Sequence, residues 1–267
     1  MKNILATKTN IFFVFYGTIE NMIEKGGSMN KVTVIAGPCS VESREQIIRI
    51  AKKLKELGVD YLRGGCFKPR TDPDTFQGLG ELGLDYLIEA KEITGLPIVT
   101  ELMTVEQVRK YARYIDIIQI GARNMYNYDL LREVGKLDKP VLLKRGLSAT
   151  YKEWLLACKY ITNNGNNKVI LCERGIRTFE SETRNTLDIE AVPYIKHNSN
   201  FKIYVDPSHA SGKRYMIEPL SLAAVAAGCD GLEIEVHDEP DKALTDKEQA
   251  ITPDELSKIM KTINEYM

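Results

Sequence analysis

The sequence predicts a single (β/α)8 barrel, and three observations lead to that expectation. The chain has 267 residues, near the ~250 typical of one such barrel and short for two ordinary domains. Eight short β-branched runs alternate with eight amphipathic segments. The polar residues gather where each run passes into the following segment, which in a barrel is the end that carries chemistry. With 43% apolar and 27% charged residues, the chain can bury a sizeable core under a solvated surface. A doubly wound open sheet is the alternative architecture with the same alternation.

The strand-like runs are 32–36, 61–63, 97–100, 117–120, 140–143, 168–171, 202–205 and 231–234. The helical segments are 43–57, 82–94, 104–111, 128–136, 150–163, 186–197, 219–227 and 253–266. In the first of these, Ile47, Ala51 and Leu54 fall at i, i+4 and i+7 and form one buried stripe. Ser43 and Thr150 suit helix N-caps. Gly58 and Gly228, each between a helix and a strand, suit left-handed caps. Trp154 is expected to pack between barrel and helix, Cys158 and Cys229 read as helical and structural, and His197 reads as a surface residue near a helix C-terminus.

Residues 1–28 lack this pattern. Their apolar run at 11–16 is too short for a secretory segment and no small-residue cleavage site follows. The expectation is an N-terminal extension at 1–28, disordered or upstream of a native start at Met29, ahead of a catalytic barrel at 29–267.

Charge and cysteine usage exclude several classes. Lys+Arg is 36 against Asp+Glu 37, so there is no basic field for nucleic acid. No apolar run nears the ~20 residues of a membrane helix. Five cysteines, odd in number and without C-x-x-C, read as a reducing, cytoplasmic context.

The junctions carry the functional signal. The first holds Gly37-Pro38-Cys39-Ser40-Val41-Glu42. The second runs from Arg63 through Gly64-Gly65-Cys66-Phe67-Lys68-Pro69-Arg70-Thr71. The third ends at Glu101. The fourth holds Gln119 and Arg123, the fifth Lys144 and Arg145, and the sixth Glu173 and Arg174. The seventh holds Asp206 and His209. The eighth holds Glu235 and His237, with Asp246 in the loop beyond. Seven cations (Arg63, Lys68, Arg70, Arg123, Lys144, Arg145 and Arg174) on one mouth would repel one another without anions to bind. Phosphate and carboxylate groups are the expected ligands, since Arg forks grip such oxygens and Lys adds a point charge. Gly64-Gly65 would let a backbone approach a phosphate closely. Cys39, His209, Glu235 and Asp246 form a mixed thiolate, imidazole and carboxylate set suited to Mn²⁺, Fe²⁺, Co²⁺ or Zn²⁺. Strands one and seven both neighbour strand eight in a closed barrel, so the first three can meet. His237 stands beside this group, either supporting it or simply packed.

These junctions resemble those of the 3-deoxy-7-phosphoheptulonate (DAHP) synthase family, type I beta subgroup, which is related to 3-deoxy-octulosonate 8-phosphate synthase. The motifs are Gly37 to Ser43, Lys68-Pro69-Arg70-Thr71, Phe76-Gln77-Gly78-Leu79-Gly80, Gly121-Ala122-Arg123-Asn124, Cys172-Glu173-Arg174-Gly175 and Asp206-Pro207-Ser208-His209. The resemblance runs from about Val32 to the C-terminus. It implies a (β/α)8 barrel that condenses phosphoenolpyruvate with erythrose 4-phosphate, opening aromatic amino-acid biosynthesis.

By motif match, Cys39, His209, Glu235 and Asp246 become metal ligands, with Lys68, Cys39 and His209 at the catalytic centre. Arg63, Lys68, Arg123, Lys144 and Arg174 become phosphoenolpyruvate-binding residues, and Arg70 and Thr71 sugar-phosphate-binding residues. Gln119 and Asp206 join the substrate-binding group. The chain departs from the family at Asp72-Pro73-Asp74-Thr75, where Ser-Pro-Tyr-Ser is expected. A homo-oligomer, dimer or tetramer, is expected, with any feedback control coming from a partner in trans. The rivals are a synthase acting on arabinose 5-phosphate and a non-catalytic barrel that binds phosphometabolites.

Overall fold

The computed structural model describes residues 31–69 and 72–266. The expectations for residues 1–28, Arg70 and Thr71 fall outside the described residues. Eight parallel strands close in chain order: β1 (Thr33–Gly37), β2 (Tyr61–Arg63), β3 (Ile98–Glu101), β4 (Ile117–Ile120), β5 (Val141–Lys144), β6 (Val169–Glu173), β7 (Lys202–Val205) and β8 (Gly231–Glu235). β1 pairs with β8 from Thr33↔Gly231 to Gly37↔Glu235. That seam leaves no sheet edge and decides against the open sheet.

The helices are α1 (Arg44–Leu57), α2 (Glu81–Thr94), α3 (Val105–Tyr111), α4 (Tyr128–Val134), α5 (Tyr151–Thr162), α6 (Ala191–Asn198), α7 (Pro207–Ser211), α8 (Ile217–Ala226) and α9 (Pro253–Tyr266). No helix among the described residues is long and apolar enough to cross a membrane. α1 begins as its cap dictates: the Gln46 amide donates to Ser43 Oγ at 3.1 Å, and Gly58 closes it at φ 77°. Ile47, Ile50, Ala51 and Leu54 are buried on one face, so truncating Leu54 to Ala should cost ~2–5 kcal/mol. Thr150 caps α5 through a capping box with Glu153. Trp154 is fully buried, with Nε1 donating to the Leu143 carbonyl at 3.2 Å.

Two elements differ from the sequence pattern. The segment expected to be helical from 186 turns helical only at Ala191, because Thr186 and Ile176 exchange both backbone hydrogen bonds at 2.9 Å. That pairing shapes the loop after β6. The short α7 was not expected, although Asp206 before Pro207 is an N-cap followed by Pro at the first helical position. Cys158 is helical, but Cys229 lies between α8 and β8, buried; all five cysteines are free thiols.

Inside the barrel, Ile35, Val99, Ile117, Leu142, Ile170, Cys172 and Tyr204 form an apolar plug. Polar side chains from the C-terminal strand ends lie above it.

Candidate active site

The strand ends open into a cleft of ≈ 270 Å³. Cys39, His209, Glu235 and Asp246 meet at one corner, each offering a donor atom within 4.8 Å of the others. The β1–β8 seam sets Gly37 opposite Glu235, which brings the Cys39 turn to β8. The loop carrying Asp246 is pinned to the same turn: Ser40 Oγ and Thr245 Oγ1 lie 2.7 Å apart, and Leu244 N donates to Glu42 at 2.8 Å. Asp246 sits at φ 50°, the one positive φ outside glycine among the described residues, a conformation that short polar side chains tolerate best.

Each donor is oriented by a partner behind it. Asp206 accepts from His209 Nδ1 at 2.5 Å and from its amide at 2.8 Å, turning Nε2 toward Glu235 at 3.2 Å. Glu235 accepts from Arg63 Nη1 at 2.7 Å and Gln249 Nε2 at 2.6 Å. Asp246 Oδ2 lies 3.3 Å from Cys39 Sγ and 3.2 Å from Arg184 Nη1. Burial, and then Glu235, push the Cys39 thiol up to about 12. Burial also lowers the His209 pKa, which favours the neutral imidazole a ligand needs. Burial opposes the charges of Glu235 and Asp246, but both carboxyls are held below their ordinary range, by His209 whenever it is protonated and by the permanent charges of Arg63 beside the first and Arg184 beside the second. One sulfur, one nitrogen and two carboxylates, with their outer hydrogen bonds in place, fit a divalent metal.

The wall of the cleft beside these donors is cationic. Lys68, Arg123, Lys144 and Arg174 line it, with Gln119 between them. Lys68 Nζ lies 2.9 Å from Cys39 Sγ and 3.0 Å from the Cys39 carbonyl, which joins the two corners. Arg174 is buried and its Nη1 has no hydrogen-bond partner among the described residues; desolvation lowers its pKa. Asp72 and Thr75, from the segment that departs from the family pattern, line the rim.

Four expectations change. Arg63 is not in the cleft wall: it lies behind Glu235, with Nε 3.1 Å from Glu233. Asp206 is fully buried, its carboxylate engaged by Lys144 and His209, so it orients side chains and does not line the cleft. Arg145 turns away from the mouth to Glu173 at 2.9 Å and Asp188 at 2.6 Å, over the Tyr151 ring. The cations are thus balanced partly by carboxylates from within the barrel, not only by a ligand. Gly65 accommodates protein, not phosphate: its Cβ would stand 2.5 Å from the Cys39 carbonyl. His237 faces Glu42 and Asp238, away from the four donors.

Two further residues of the cleft were not foreseen. Arg184, on the loop after β6, lies against Asp246 and Gln249; no strand end announces it. Glu101 lines the cleft with a buried Oε1 that has no hydrogen-bond partner among the described residues, and burial raises its pKa. Its position at the end of β3 was the available signal. Gly121 faces it so closely that an added Cβ would lie 2.1 Å from Glu101 Oε1.

The sequence matches the profile of the DAHP synthetase I family over residues 16–267. A phospho-2-dehydro-3-deoxyheptonate aldolase of Thermotoga maritima is 57% identical over 219 residues, covering 82% of this chain and 65% of that protein. The chain therefore spans just under two thirds of that relative's length. A 2-dehydro-3-deoxyphosphooctonate aldolase of Desulfotalea psychrophila is 33% identical over 252 residues, 88% of this chain and 89% of the relative. A crystal structure of the Thermotoga maritima DAHP synthase superposes with a TM-score of 0.85 at 53% identity, over 88% of this chain and 68% of the other.

Proposed function

We propose, from the premise that this chain belongs to the DAHP synthetase I family, that it condenses phosphoenolpyruvate with erythrose 4-phosphate and water. The products are 3-deoxy-D-arabino-heptulosonate 7-phosphate and phosphate. The observation that carries this reading is one cleft lined both by donors of a four-residue metal group and by a set of cations beside it.

Cys39, His209, Glu235 and Asp246 would hold the metal, which we take to be Mn²⁺, Fe²⁺, Co²⁺ or Zn²⁺ from the thiol and imidazole in the set. When bound, it supplies a Lewis acid for an aldehyde oxygen. Arg123, Lys144 and Arg174 hold the carboxylate and phosphate of phosphoenolpyruvate, and their fixed charges favour the phosphate as it departs. C3 attacks the aldehyde carbon, and the carbonyl electrons pass to its oxygen. Lys68 delivers a proton there; burial opposes its charge, but Cys39 and Glu235 beside it hold its pKa above the ordinary lysine value. Water adds to the cationic C2 and Glu101 receives one of its protons; phosphate then leaves with the C–O bonding pair and takes up the remaining hydroxyl proton as C2 becomes the ketone. Arg70 and Thr71 bind the sugar phosphate in this reading.

The 57% relative favours the four-carbon sugar, while the phosphooctonate relatives keep arabinose 5-phosphate as the competing substrate. Phosphate release from phosphoenolpyruvate, measured with each sugar before and after metal loading of chelator-treated protein, tests the proposal. Faster turnover with erythrose 4-phosphate, and only with metal, is expected. Equal or reversed kcat/KM overturns the sugar assignment, and no turnover with either favours a binding barrel. A cytoplasmic homo-oligomer, dimer or tetramer, with any feedback exerted by a partner in trans, completes this reading.

A further inference from the structure

Glu233 has no part in the chemistry above, yet it is a carboxylate buried in the barrel, 1% exposed. It sits on β8 two residues before Glu235, so both side chains point inward, one a layer below the other. An ionised carboxylate in such a place is costly unless it is paired. Its Oε2 lies 3.0 Å from Lys144 Nζ, its Oε1 3.1 Å from Arg63 Nε, and Cys172 Sγ lies 3.8 Å from Oε2. Lys144 belongs to the cationic wall, and Arg63 holds the metal-corner carboxylate Glu235. One carboxylate therefore spans the base of both corners.

Among the described residues Lys144 has one other ion-pair partner, Asp206, at 2.5 Å. The same Asp206 oxygen accepts from His209 Nδ1, so it cannot serve Lys144 alone. We infer that Glu233 is a positioning residue, fixing Lys144 as a charged group at the cleft wall for phosphoenolpyruvate. This rests on the function proposed above, in which Lys144 meets that ligand. The surroundings of Lys144 agree. Asp206 just beyond β7, Glu233 of β8 and Cys172 of β6 border it, with Arg63 of β2, Glu101 of β3 and His209 farther away. Burial works against its charge, and Asp206 and Glu233 together outweigh burial.

Replacing Glu233 by Gln keeps the volume and removes the charge. Lys144 then keeps its burial but loses one of two counter-charges, so its pKa falls and it sheds its proton at lower pH. The test is a calorimetric titration with phosphoenolpyruvate, with Mn²⁺ present, at pH 7 and pH 9. Parent Kd should be similar at both. Glu233→Gln should weaken binding about tenfold at pH 7, about one charge-assisted hydrogen bond, and further at pH 9. Glu233→Asp should keep the parental pH dependence. In a Lys144→Met background the Gln substitution should change Kd less than about twofold, since its effect passes through the missing lysine.

A Glu233→Gln variant within twofold of the parent at both pH values overturns the inference, as does an undiminished effect in the Lys144→Met background. If Glu233→Gln fails to fold, thermal unfolding of Lys144→Met with and without Glu233→Gln decides. With Lys144 gone, Arg63, already shared with Glu235, is left among the described residues to balance the buried Glu233, so the double variant should melt higher, and a lower Tm refutes the assignment. A parent protein that binds no phosphoenolpyruvate sinks the proposed function and this inference together, whereas parental binding with unchanged variants sinks the inference alone.

Discussion

The two corners of the cleft are built on different terms. At the metal corner every donor is answered from within the protein: Cys39 by Lys68, His209 by Asp206, Glu235 by Arg63 and Gln249, and Asp246 by Arg184. At the cationic wall, Arg174 Nη1 and Glu101 Oε1 are buried and have no hydrogen-bond partner among the described residues. The first corner is held in shape by its own hydrogen bonds. The second presents buried polar atoms to the cleft, and a hydrogen bond made or lost at each is worth ~1–3 kcal/mol, so it responds to what enters. Substitutions at the first should therefore act on metal affinity, and substitutions at the second on phosphoenolpyruvate affinity.

The sharpest way to break the comparison is Cys39→Ala. A bound metal contributes several kcal/mol to the transition state, so turnover should fall about 1000-fold, with metal content lost and the fold kept by circular dichroism. Full activity in metal-free parent protein would contradict it. Next, Asp206→Asn should weaken metal binding ~10–100-fold by releasing His209 from its orientation, read by competitive titration with a chelating dye. Arg174→Met should raise KM for phosphoenolpyruvate about 10–30-fold with metal affinity unchanged; a matching loss of metal affinity would erase the distinction between the corners.

The smallest effect is on stability. Glu101 has its folded pKa raised by burial. Its contribution to stability is present below the unfolded pKa and is lost as pH rises through the folded value. Glu101→Gln removes that loss, so its Tm should exceed the parent's at pH 8, by ~2–4 °C for each kcal/mol, and match it near pH 4. Turnover should fall in the same variant.

The barrel was legible because its two periodicities repeat eight times, and three of the four donors because they stand at strand ends. What escaped notice depended on contacts between distant segments. Arg63 and Arg145 share the positions of the cleft cations, but each is drawn off by carboxylates brought near by folding: Glu233 and Glu235, and Glu173 and Asp188. Arg184 lies in a loop shaped by the Ile176–Thr186 pairing, which no local pattern announces. Asp206 read as a ligand-facing residue because chain order shows which junction holds it and not how deep it sits.

The contact between Gly121 and Glu101 bears on how this site can change. An added Cβ at 121 would lie 2.1 Å from Glu101 Oε1, so the two positions do not vary independently. A saturation library at 121 alone should return glycine among active clones. A larger residue there requires the Glu101 carboxylate to move, so the two positions couple epistatically across the β3–β4 junction. Recombining the two sites in one library would reach sequences that stepwise selection through single substitutions does not.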